Sequence, residues 1–412
     1  MRERRRVVVT GIGPVTPVGI GVEDFWAGMR GGRNGVRTIQ NFDASDLPVT
    51  VAGEVADFDP SDFLDPKEIR RTDRFVQYGI ASAKLAWADA GEPEVASERG
   101  GVIYTTGIGG VQTLLNQHLV MLEKGPGRIS PFLVPMLMAN ATSGHVAMIY
   151  GLTGPNFATI SACASSNHAI GEGMRMIRDG YADLMVVGGS EAATIPLTVA
   201  AFAQMTALTK NPDPGSASRP FDAERSGFVM SEGGCALILE DEERARARGA
   251  RIYCEVAGYG ASDDAHHITA PDPKGSGAAL AMRWALEDAG ADPRDVDYVN
   301  AHGTSTPLND AAETVAIKAA LGEEVARGIA VSSTKSMTGH MLGAAGAVEG
   351  AVCALAIAKG EIPPTIHYRT PDPDCDLDVT PNEGRDLDVR LALSNSFGFG
   401  GQNACKAVRT VA

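Results

Sequence analysis

Short runs of β-branched and other apolar residues alternate along this chain with longer, Ala-rich patterns of helical period. Each apolar run is bounded by Gly, Ser or Asn, and these runs predict buried strands at residues 7–10, 101–105, 184–187, 236–239, 298–301, 330–333 and 391–394. The segments between them predict helices at residues 74–90, 167–179, 277–289, 311–321 and 344–359. Alternation of this kind predicts an α/β protein whose sheets are covered by helices.

Two segments fit neither pattern and predict long loops. Residues 206–227 are rich in Pro, Asp, Ser and Arg, and residues 263–277 contain two adjacent histidines with several Pro and Gly. Long irregular loops in a compact enzyme are more often functional than spare. A break near residue 250, where an Arg-rich helix ends and a new strand begins, divides the chain into two expected halves, residues 1–250 and 251–412. No sequence repeat relates the two.

Composition and charge narrow the classes of function. The formal net charge of −15 argues against a nucleic-acid partner, which requires a basic face. The six cysteines are scattered without a C-x-x-C pair, which is typical of reduced thiols, so we expect a cytoplasmic protein. The basic start lacks the apolar run of a signal peptide, and no stretch of about 18 uninterrupted apolar residues occurs, so we expect no membrane association.

The first candidate for chemistry is a cysteine in the segment SACASS (161–166). A strand pattern leads into Cys163 and a helical pattern opens directly after it, which predicts a thiol at a strand-to-helix turn. The unpaired N–H groups and the dipole at a helix N-terminus favour the nucleophilic thiolate. A lone cysteine is more often a buried structural residue, so this segment alone leaves both interpretations open.

Two histidines each follow a predicted strand and adjoin a polar loop. His302 lies in NAHGTSTP (300–307), and His340 ends SSTKSMTGH (332–340). Strand ends often hold catalytic groups because a rigid sheet fixes them, although His302 alone fits a structural role more often. Lys335, upstream of His340, either holds a positive charge near it or is a surface lysine.

Three further patterns bear on function. NSFGFGGQN (395–403) alternates Gly with Phe, which suits either a mobile loop with an aromatic plug or an ordinary hairpin. GIGPVTPVG (11–19) only imitates a dinucleotide-binding loop, because its third Gly is misplaced and two prolines would disturb the helix start. The adjacent histidines at 266 and 267 cannot share a helical face, so we predict no metal site.

Together these segments closely resemble the β-ketoacyl-[acyl-carrier-protein] synthases, and the type II enzymes most of all. The resemblance spans nearly the whole chain. It is carried by VVVTGIGPVTPVG (7–19), TDRFVQYG (72–79), RISPFLVPM (128–136), SACASS, RPFDAERSGFVMSEG (219–233), NAHGTSTPLND (300–310), SSTKSMTGH and NSFGFGGQN. A nucleophilic cysteine followed by two histidines distinguishes the elongating synthases from priming synthases and thiolases.

The resemblance implies an α/β thiolase-like fold, five-layered αβαβα with two similar halves, assembled as a homodimer. The implied activity is an acyltransferase reaction of fatty acid elongation, that of a 3-oxoacyl-[acyl-carrier-protein] synthase. A Cys-bound acyl chain is joined to malonyl-carrier protein by decarboxylative Claisen condensation. Because both substrates arrive on the phosphopantetheine arm of acyl carrier protein, the resemblance implies no resident cofactor and no metal.

The family also implies roles for individual residues. Cys163 is the expected nucleophile, His302 and His340 stabilise the enolate, and the backbone N–H groups of Cys163 and Phe399 form an oxyanion hole. Lys335 completes the catalytic set, with Glu349 as a buried support around His340. Asp264 supports a moving loop at 263–269. The residues implied to bind substrate are Ile108, Phe202, Thr269, Thr304, Thr306, Phe397 and Gly400.

The expected carrier protein is acidic, so docking needs local positive charge on this acidic chain. Basic residues in the region that matches the family's docking face are the candidates: Lys67, Arg70, Arg71, Lys124 and Arg128. The chain departs from the family pattern at Thr206 and Gly127, where basic residues are common, and Lys210 is a potential substitute.

Two other functions were considered. A ketosynthase subunit of a type II polyketide synthase shares every catalytic residue, but the loop GIGG (107–110) with Ile108 looks more like the fatty-acid enzyme. A non-catalytic chain-length partner usually replaces the nucleophile, commonly with Gln, so Cys163 argues against that function.

Overall fold

The computed structural model describes residues 4–411, so residues 1–3 of the basic start and residue 412 at the end of the second expected half lie outside it. Fifteen strands are present in the described chain. They are β1 Val7–Thr16, β2 Gly19–Ile20, β3 Val36–Thr38, β4 Val51–Gly53, β5 Gly100–Thr105, β6 Asn156–Phe157, β7 Leu184–Glu191, β8 Gly233–Asp241, β9 Cys254–Asp263, β10 Tyr298–Asn300, β11 Ala330–Ser332, β12 Glu361–Ile362, β13 Arg385–Asp386, β14 Leu391–Phe397 and β15 Gln402–Arg409.

Helices cover both faces of the sheets formed by these strands. They are α1 Val22–Arg30, α2 Pro66–Ile69, α3 Arg74–Asp89, α4 Val111–Lys124, α5 Leu133–Leu137, α6 Ala141–Tyr150, α7 Ser165–Arg178, α8 Pro196–Gln204, α9 Glu242–Ala247, α10 Ser276–Ala289, α11 Pro307–Leu321, α12 Glu323–Gly328, α13 Lys335–Thr338 and α14 Ala345–Lys359. Two single turns of 3₁₀-helix, Ala162–Ala164 and Leu342–Ala344, immediately precede α7 and α14.

The main strands form two five-stranded sheets with the same internal order. The first runs β6–β5–β7–β8–β1 and the second β11–β10–β14–β15–β9. In each sheet the first two pairings are parallel and the last two antiparallel. A short pairing of β1 with β9 joins the sheets edge to edge. The matching order confirms the expectation of two similar halves, which the sequence does not reveal as a repeat.

Helices α7 and α14 lie between the two sheets and contact each other. Helix α3 packs on the outer face of the first sheet, and α10 packs on the outer face of the second. The result is the expected five-layered αβαβα arrangement. A central helix packs against neighbours on all sides, and α14 with its preceding turn is apolar apart from Glu349 and the final Lys359. Leu342–Lys359 has the length and a mean hydropathy of 1.5 that a membrane span requires, but 83% of the segment is buried inside this fold, as in a core helix.

The GIG pattern of the first strand has a packing role. A Cβ added to Gly11 would lie 2.2 Å from the carbonyl oxygen of Ala86, and one added to Gly13 would lie 2.0 Å from that of Ser82. Both contacts are shorter than atoms allow, so these glycines let β1 lie directly against α3. The pattern therefore serves helix–sheet packing.

All seven predicted strands and all five predicted helices are present, and most extend further than the apolar runs. β1 continues to Thr16, and α11 begins earlier, at Pro307. Residues 206–227 and most of 264–275 are irregular, as predicted. Among the longer elements, helices α1, α4, α6 and α8 and strand β15 are not predicted by the sequence. Residue 250 falls between α9 and β9, and a division of the chain at this residue stays a prediction.

Candidate active site

Cys163 is the middle residue of the 3₁₀ turn that precedes α7. Ala162 before it has φ of 50°, which bends the chain sharply between the incoming loop and the helix. The Ser165 hydroxyl accepts from the backbone N–H of Ser161 at 2.9 Å and holds the turn closed. The thiol, partly exposed, faces a second catalytic candidate: its Sγ lies 3.0 Å from Nε2 of His340.

Burial raises the pKa of the Cys163 thiol to about 12, although the Lys335 charge and a hydrogen bond from the Phe399 backbone N–H pull it down. The helix N-terminus was expected to favour a resting thiolate. Loss of water outweighs the nearby positive groups, so the resting group at neutral pH is the protonated thiol. Its proton therefore has to leave during acyl transfer.

His302 follows β10 by two residues and is almost fully buried. Its backbone N–H and that of Gly303 both donate to the carboxylate of Glu313 on α11, at 2.8 and 2.7 Å. Burial raises the pKa of Glu313 to about 7, while these two donors act in the opposite direction. Glu313 fixes the turn that carries His302, a role that the sequence patterns do not predict.

Lys335 and Glu349 form a buried ion pair, and each side chain is 2% exposed. The Lys335 ammonium also donates to the carbonyl oxygen of His302 at 2.6 Å and lies 3.5 Å from its Nδ1. Lys335 and Glu349 were expected to support His340, but outside their ion pair the hydrogen bonds of the Lys335 ammonium go to His302. Because an ammonium can only donate, it favours the His302 tautomer that carries its proton on Nε2.

His340 is held by its backbone. Its N–H donates to the Val229 carbonyl at 2.7 Å, and its own carbonyl accepts from the Ser231 N–H at 3.0 Å. The two histidine rings lie nearly perpendicular, with centroids 5.4 Å apart. Burial, reinforced by the Lys335 charge, holds the pKa of both imidazoles well below the ordinary value. Both rings are therefore neutral at pH 7 and able to donate an N–H to a developing oxyanion.

The ligand atoms of Cys163, His302 and His340 all lie within 4.8 Å of one another. Residues 177 positions apart in the chain are thus brought to one point between the two halves. Thiolate and imidazole are also ligands that suit zinc. The absence of a metal stays a prediction from the sequence.

A cavity of about 500 Å³ opens from this cluster. Most of the predicted site residues line it: Ile108, Cys163, Phe202, Asp264, Thr269, His302, Thr304, Thr306, His340, Phe397 and Phe399. Gly400 is absent from this lining; its backbone N–H donates to the Ile268 carbonyl at 2.7 Å instead. Lys335 and Glu349 lie beneath the cavity, where they hold His302.

Two loops cover the cavity mouth and are tied to each other. Asp264 accepts from the Asn403 amide at 2.7 Å, and its N–H donates to the Gly401 carbonyl at 2.8 Å. A Cβ on Gly398 would lie 2.7 Å from the Ser161 carbonyl oxygen. Only glycine lets this loop approach closely enough for the Phe399 N–H to reach the thiol.

Two hydroxyls near the mouth bond to each other. Thr304 and Thr306 hydroxyl oxygens are 2.9 Å apart, and that of Thr306 also accepts from the N–H of Asn309 as the N-cap of α11. The cap fixes the position of both hydroxyls at the cavity wall.

Two residues that shape the cavity are not predicted by the sequence patterns. Glu191, at the end of β7, accepts hydrogen bonds from the loop that contains Ile108. Leu342 lines the cavity with φ of 45°, a conformation uncommon for residues other than glycine. A carboxylate that ends an apolar strand was the available signal for Glu191, because charged side chains are seldom buried without a partner.

Models of two protein families match this chain. "Beta-ketoacyl synthase, N-terminal domain" matches residues 4–245, and "Beta-ketoacyl synthase, C-terminal domain" matches residues 253–369. The chain belongs to the β-ketoacyl synthase family. This synthase is thus an acyltransferase that forms a carbon–carbon bond by condensation.

Curated relatives are similar along nearly their whole length. The 3-oxoacyl-[acyl-carrier-protein] synthase 2 of Synechocystis sp. is 52% identical over 99% of this chain and 98% of its own. The enzyme of the same name from Staphylococcus aureus strain COL is 48% identical, with 98% of both chains covered. That from Coxiella burnetii is 48% identical, with 97% of both chains covered.

Solved structures share the thiolase-like ketosynthase fold. A type II polyketide ketosynthase in complex with its acyl-carrier protein superposes with a TM-score of 0.92 at 36% identity, covering 99% of this chain and all of its own. The ishigamide ketosynthase/chain length factor has a TM-score of 0.92 at 39% identity, with both chains fully covered.

Proposed function

We propose that this synthase elongates acyl chains carried on acyl carrier protein, as a 3-oxoacyl-[acyl-carrier-protein] synthase II. The observation that carries the proposal is the cluster of Cys163, His302 and His340 at one end of a largely apolar cavity. An apolar cavity next to a thiol suits an acyl chain held as a thioester. Neutral imidazoles beside the same thiol suit an enolate that forms there.

In the first half-reaction the Cys163 sulfur attacks the thioester carbonyl of the acyl-carrier protein. The backbone N–H groups of Cys163 and Phe399 stabilise the tetrahedral oxyanion. The carrier thiol leaves and takes up the proton that Cys163 releases. His340, whose Nε2 is 3.0 Å from the sulfur, is placed to transfer that proton.

In the second half-reaction the C–C bond to the carboxylate of malonyl-carrier protein breaks, releasing carbon dioxide and an enolate. N–H groups of His302 and His340 donate to the enolate oxygen. The enolate carbon attacks the acyl thioester, which gives 3-oxoacyl-carrier protein and the Cys163 thiolate. One proton from solvent restores the thiol. Every step is provided by the chain and its carrier-bound substrates, so the proposed reaction uses no resident cofactor.

The test is condensation by the purified protein. Acyl- and malonyl-carrier proteins should yield a 3-oxoacyl product and carbon dioxide, and Cys163→Ala should abolish product while remaining folded. Cys353→Ala, a buried thiol on α14, is the matched control and should condense normally. Product formation by Cys163→Ala would refute the mechanism.

A ketosynthase subunit of a type II polyketide synthase is the second candidate, favoured by the high structural similarity to a type II polyketide ketosynthase. The higher sequence identity to the curated fatty-acid enzymes favours elongation. The products separate them: one round of condensation per acyl transfer indicates elongation, whereas repeated condensation without reduction indicates polyketide synthesis.

We further propose that the carrier protein docks on the basic residues predicted from the sequence. Lys67, Arg70, Arg71, Lys124 and Arg128 are all exposed. The Arg71 guanidinium lies 4.5 Å from the Phe132 ring centre, which holds it in place at the surface. Arg70→Glu should raise KM for the carrier protein, whereas Lys359→Glu, at the far end of α14, should not. An unchanged KM in all five charge reversals would exclude this surface.

A homodimer is proposed from the exposed edge of the first sheet. β6 is its last strand, and both of its residues are exposed. Nearby helices α4 and α6 expose large apolar side chains, including Leu122 at 67% and Met148 at 71%. Apolar surface of this extent beside an unpaired strand is typical of a subunit interface. Light scattering should give the mass of a dimer, and Leu122→Glu with Met148→Glu should give a monomer; a wild-type monomer would refute the proposal.

A cytoplasmic location is proposed from the cysteines. All six are free, and five are buried. Thiols in this state are typical of a reducing compartment. Cell fractionation should recover the protein with cytoplasmic markers.

A further inference from the structure

Glu191 is fully buried at the end of β7, and the reaction described above does not use it. Its carboxylate accepts four hydrogen bonds. The Thr106 hydroxyl donates at 2.8 Å, and the backbone N–H groups of Gly107, Ile108 and Gly343 donate at 2.7, 3.3 and 3.1 Å. Burial raises the pKa of Glu191 to about 7, while these four donors act in the opposite direction and favour the ionised carboxylate, which only accepts hydrogen bonds.

The four donors belong to two adjoining walls of the cavity. Gly107 and Ile108 line one wall, and Leu342, adjacent to Gly343, lines the other. The two backbones cross so closely that a Cβ on Gly343 would lie 2.2 Å from the Gly107 nitrogen. The Glu191 carboxylate therefore joins the two walls directly where they cross.

The wall that contains Leu342 has a backbone conformation that needs to be fixed by hydrogen bonds. Leu342 has φ of 45°, which residues other than glycine keep only where their surroundings fix them. Its side chain packs with Val199, Ala203 and Phe228 in a buried cluster, against which Phe202 of the cavity lining also packs. The bond from the Gly343 N–H to Glu191 anchors the turn in this conformation.

We propose that Glu191 is a positioning residue that sets the width of the acyl pocket and thereby the acyl chain lengths that the synthase accepts. This inference rests on the proposed function, in which the acyl chain occupies the cavity next to Cys163. Glu191 does not touch the chain; it acts by holding Ile108 and Leu342 at a fixed separation.

Glu191→Gln tests the proposal because the amide keeps the shape but turns one acceptor into a donor. That donor faces an N–H or O–H group of one wall, so the two walls lose their common anchor and the pocket widens. The ratio of kcat/KM for a 16-carbon over an 8-carbon acyl-carrier protein should rise about tenfold, the scale of one charge-assisted hydrogen bond. Mass spectrometry of acylated Cys163 gives the same ratio for the first half-reaction alone.

Glu232→Gln is the matched control. Glu232 is also a buried carboxylate that accepts from a backbone N–H, that of Val55 at 3.2 Å, but Val55 does not line the cavity, unlike Gly107 and Ile108. It should lose stability and leave the chain-length ratio unchanged. A Glu191→Gln ratio equal to the wild-type ratio, or an equal shift in Glu232→Gln, would overturn the proposal.

Thr106→Val provides the answer if Glu191→Gln does not fold. It removes one of the four donors and should shift the ratio in the same direction by a smaller factor; no shift would overturn the proposal. Condensation by the wild-type protein is measured first. If the proposed function is wrong, no 3-oxoacyl product forms. Failure of this inference instead shows as normal condensation with an unaltered chain-length ratio.

Discussion

Replacing Lys335 with Met probes the support beneath His302 most sharply. Methionine has about the same length but leaves Glu349 as a buried carboxylate without its cation. Removing one partner of a buried ion pair costs about 3–5 kcal/mol of unfolding free energy. The His302 carbonyl also loses its 2.6 Å donor, which costs about 1–3 kcal/mol. These contributions overlap, so we expect a loss of about 4 kcal/mol.

The double variant Lys335→Met with Glu349→Leu separates charge burial from catalysis. With both charges gone, no ion is left unpaired, and the unfolding free energy should recover to within about 2 kcal/mol of wild type. Malonyl decarboxylation should stay defective in both variants, because nothing then fixes the His302 tautomer. Urea denaturation followed by tryptophan fluorescence, to which the buried Trp26 contributes, reports the stability. Release of carbon dioxide from malonyl-carrier protein reports the chemistry.

The loss of unfolding free energy in Lys335→Met should depend on pH in a definite direction. Burial raises the pKa of Glu349 and Lys335 lowers it, so without Lys335 the folded-state pKa rises further above the unfolded value. A raised folded pKa means that stability is retained below the unfolded pKa and lost as pH rises. The deficit of the single variant should therefore be larger at pH 8 than at pH 5. A single variant as stable as wild type at pH 8, or a double variant with normal decarboxylation, would refute this account of the pair.

Three other predictions concern the site. His302→Ala or His340→Ala should reduce malonyl decarboxylation more than acylation of Cys163, measured by carbon dioxide release and by mass spectrometry; equal losses would mean that their roles are misassigned. Gly398→Ala should lower the acylation rate at least about tenfold, because its Cβ would meet the Ser161 carbonyl and displace the Phe399 N–H; an unchanged rate would remove Phe399 from the oxyanion hole. Burial raises the pKa of Glu313 to about 7, so this carboxyl makes the wild-type protein less stable as the pH rises from about 4.5 to 7. Glu313→Gln should lack this fall in its urea midpoints; identical pH profiles of the variant and the wild type would show that Glu313 does not titrate in this range.

The sequence predicts those site residues that lie at the ends of apolar runs. Cys163, His302 and His340 each stand where an apolar run gives way to small polar residues. Strand ends and helix starts are local events, so their positions could be predicted. Their convergence could not, because it depends on how two halves pack across a hundred or more residues. The three became interpretable together only through the resemblance to a family.

The supporting residues were missed for a physical reason. Glu191 and Glu313 are acidic residues of the kind that normally lies on a surface, and only the folded chain shows that backbone donors converge on them. The pairing of Lys335 with His302 rather than His340 likewise depends on the close approach of α13 to the turn after β10. Side chains that act by accepting backbone N–H groups leave little trace in residue patterns.

The two 3₁₀ turns that precede the central helices α7 and α14 correspond to each other position by position. Each begins with a non-glycine residue at positive φ, Ala162 at 50° and Leu342 at 45°, and each leads into a helix of the middle layer. Cys163 and Gly343 occupy the same step of the two turns. Gly343 has no side chain, and a Cβ at this position would clash with the Gly107 nitrogen. One turn therefore presents a reactive thiol to the cavity, whereas the same step of the other turn leaves its space to the backbone of the loop that contains Ile108.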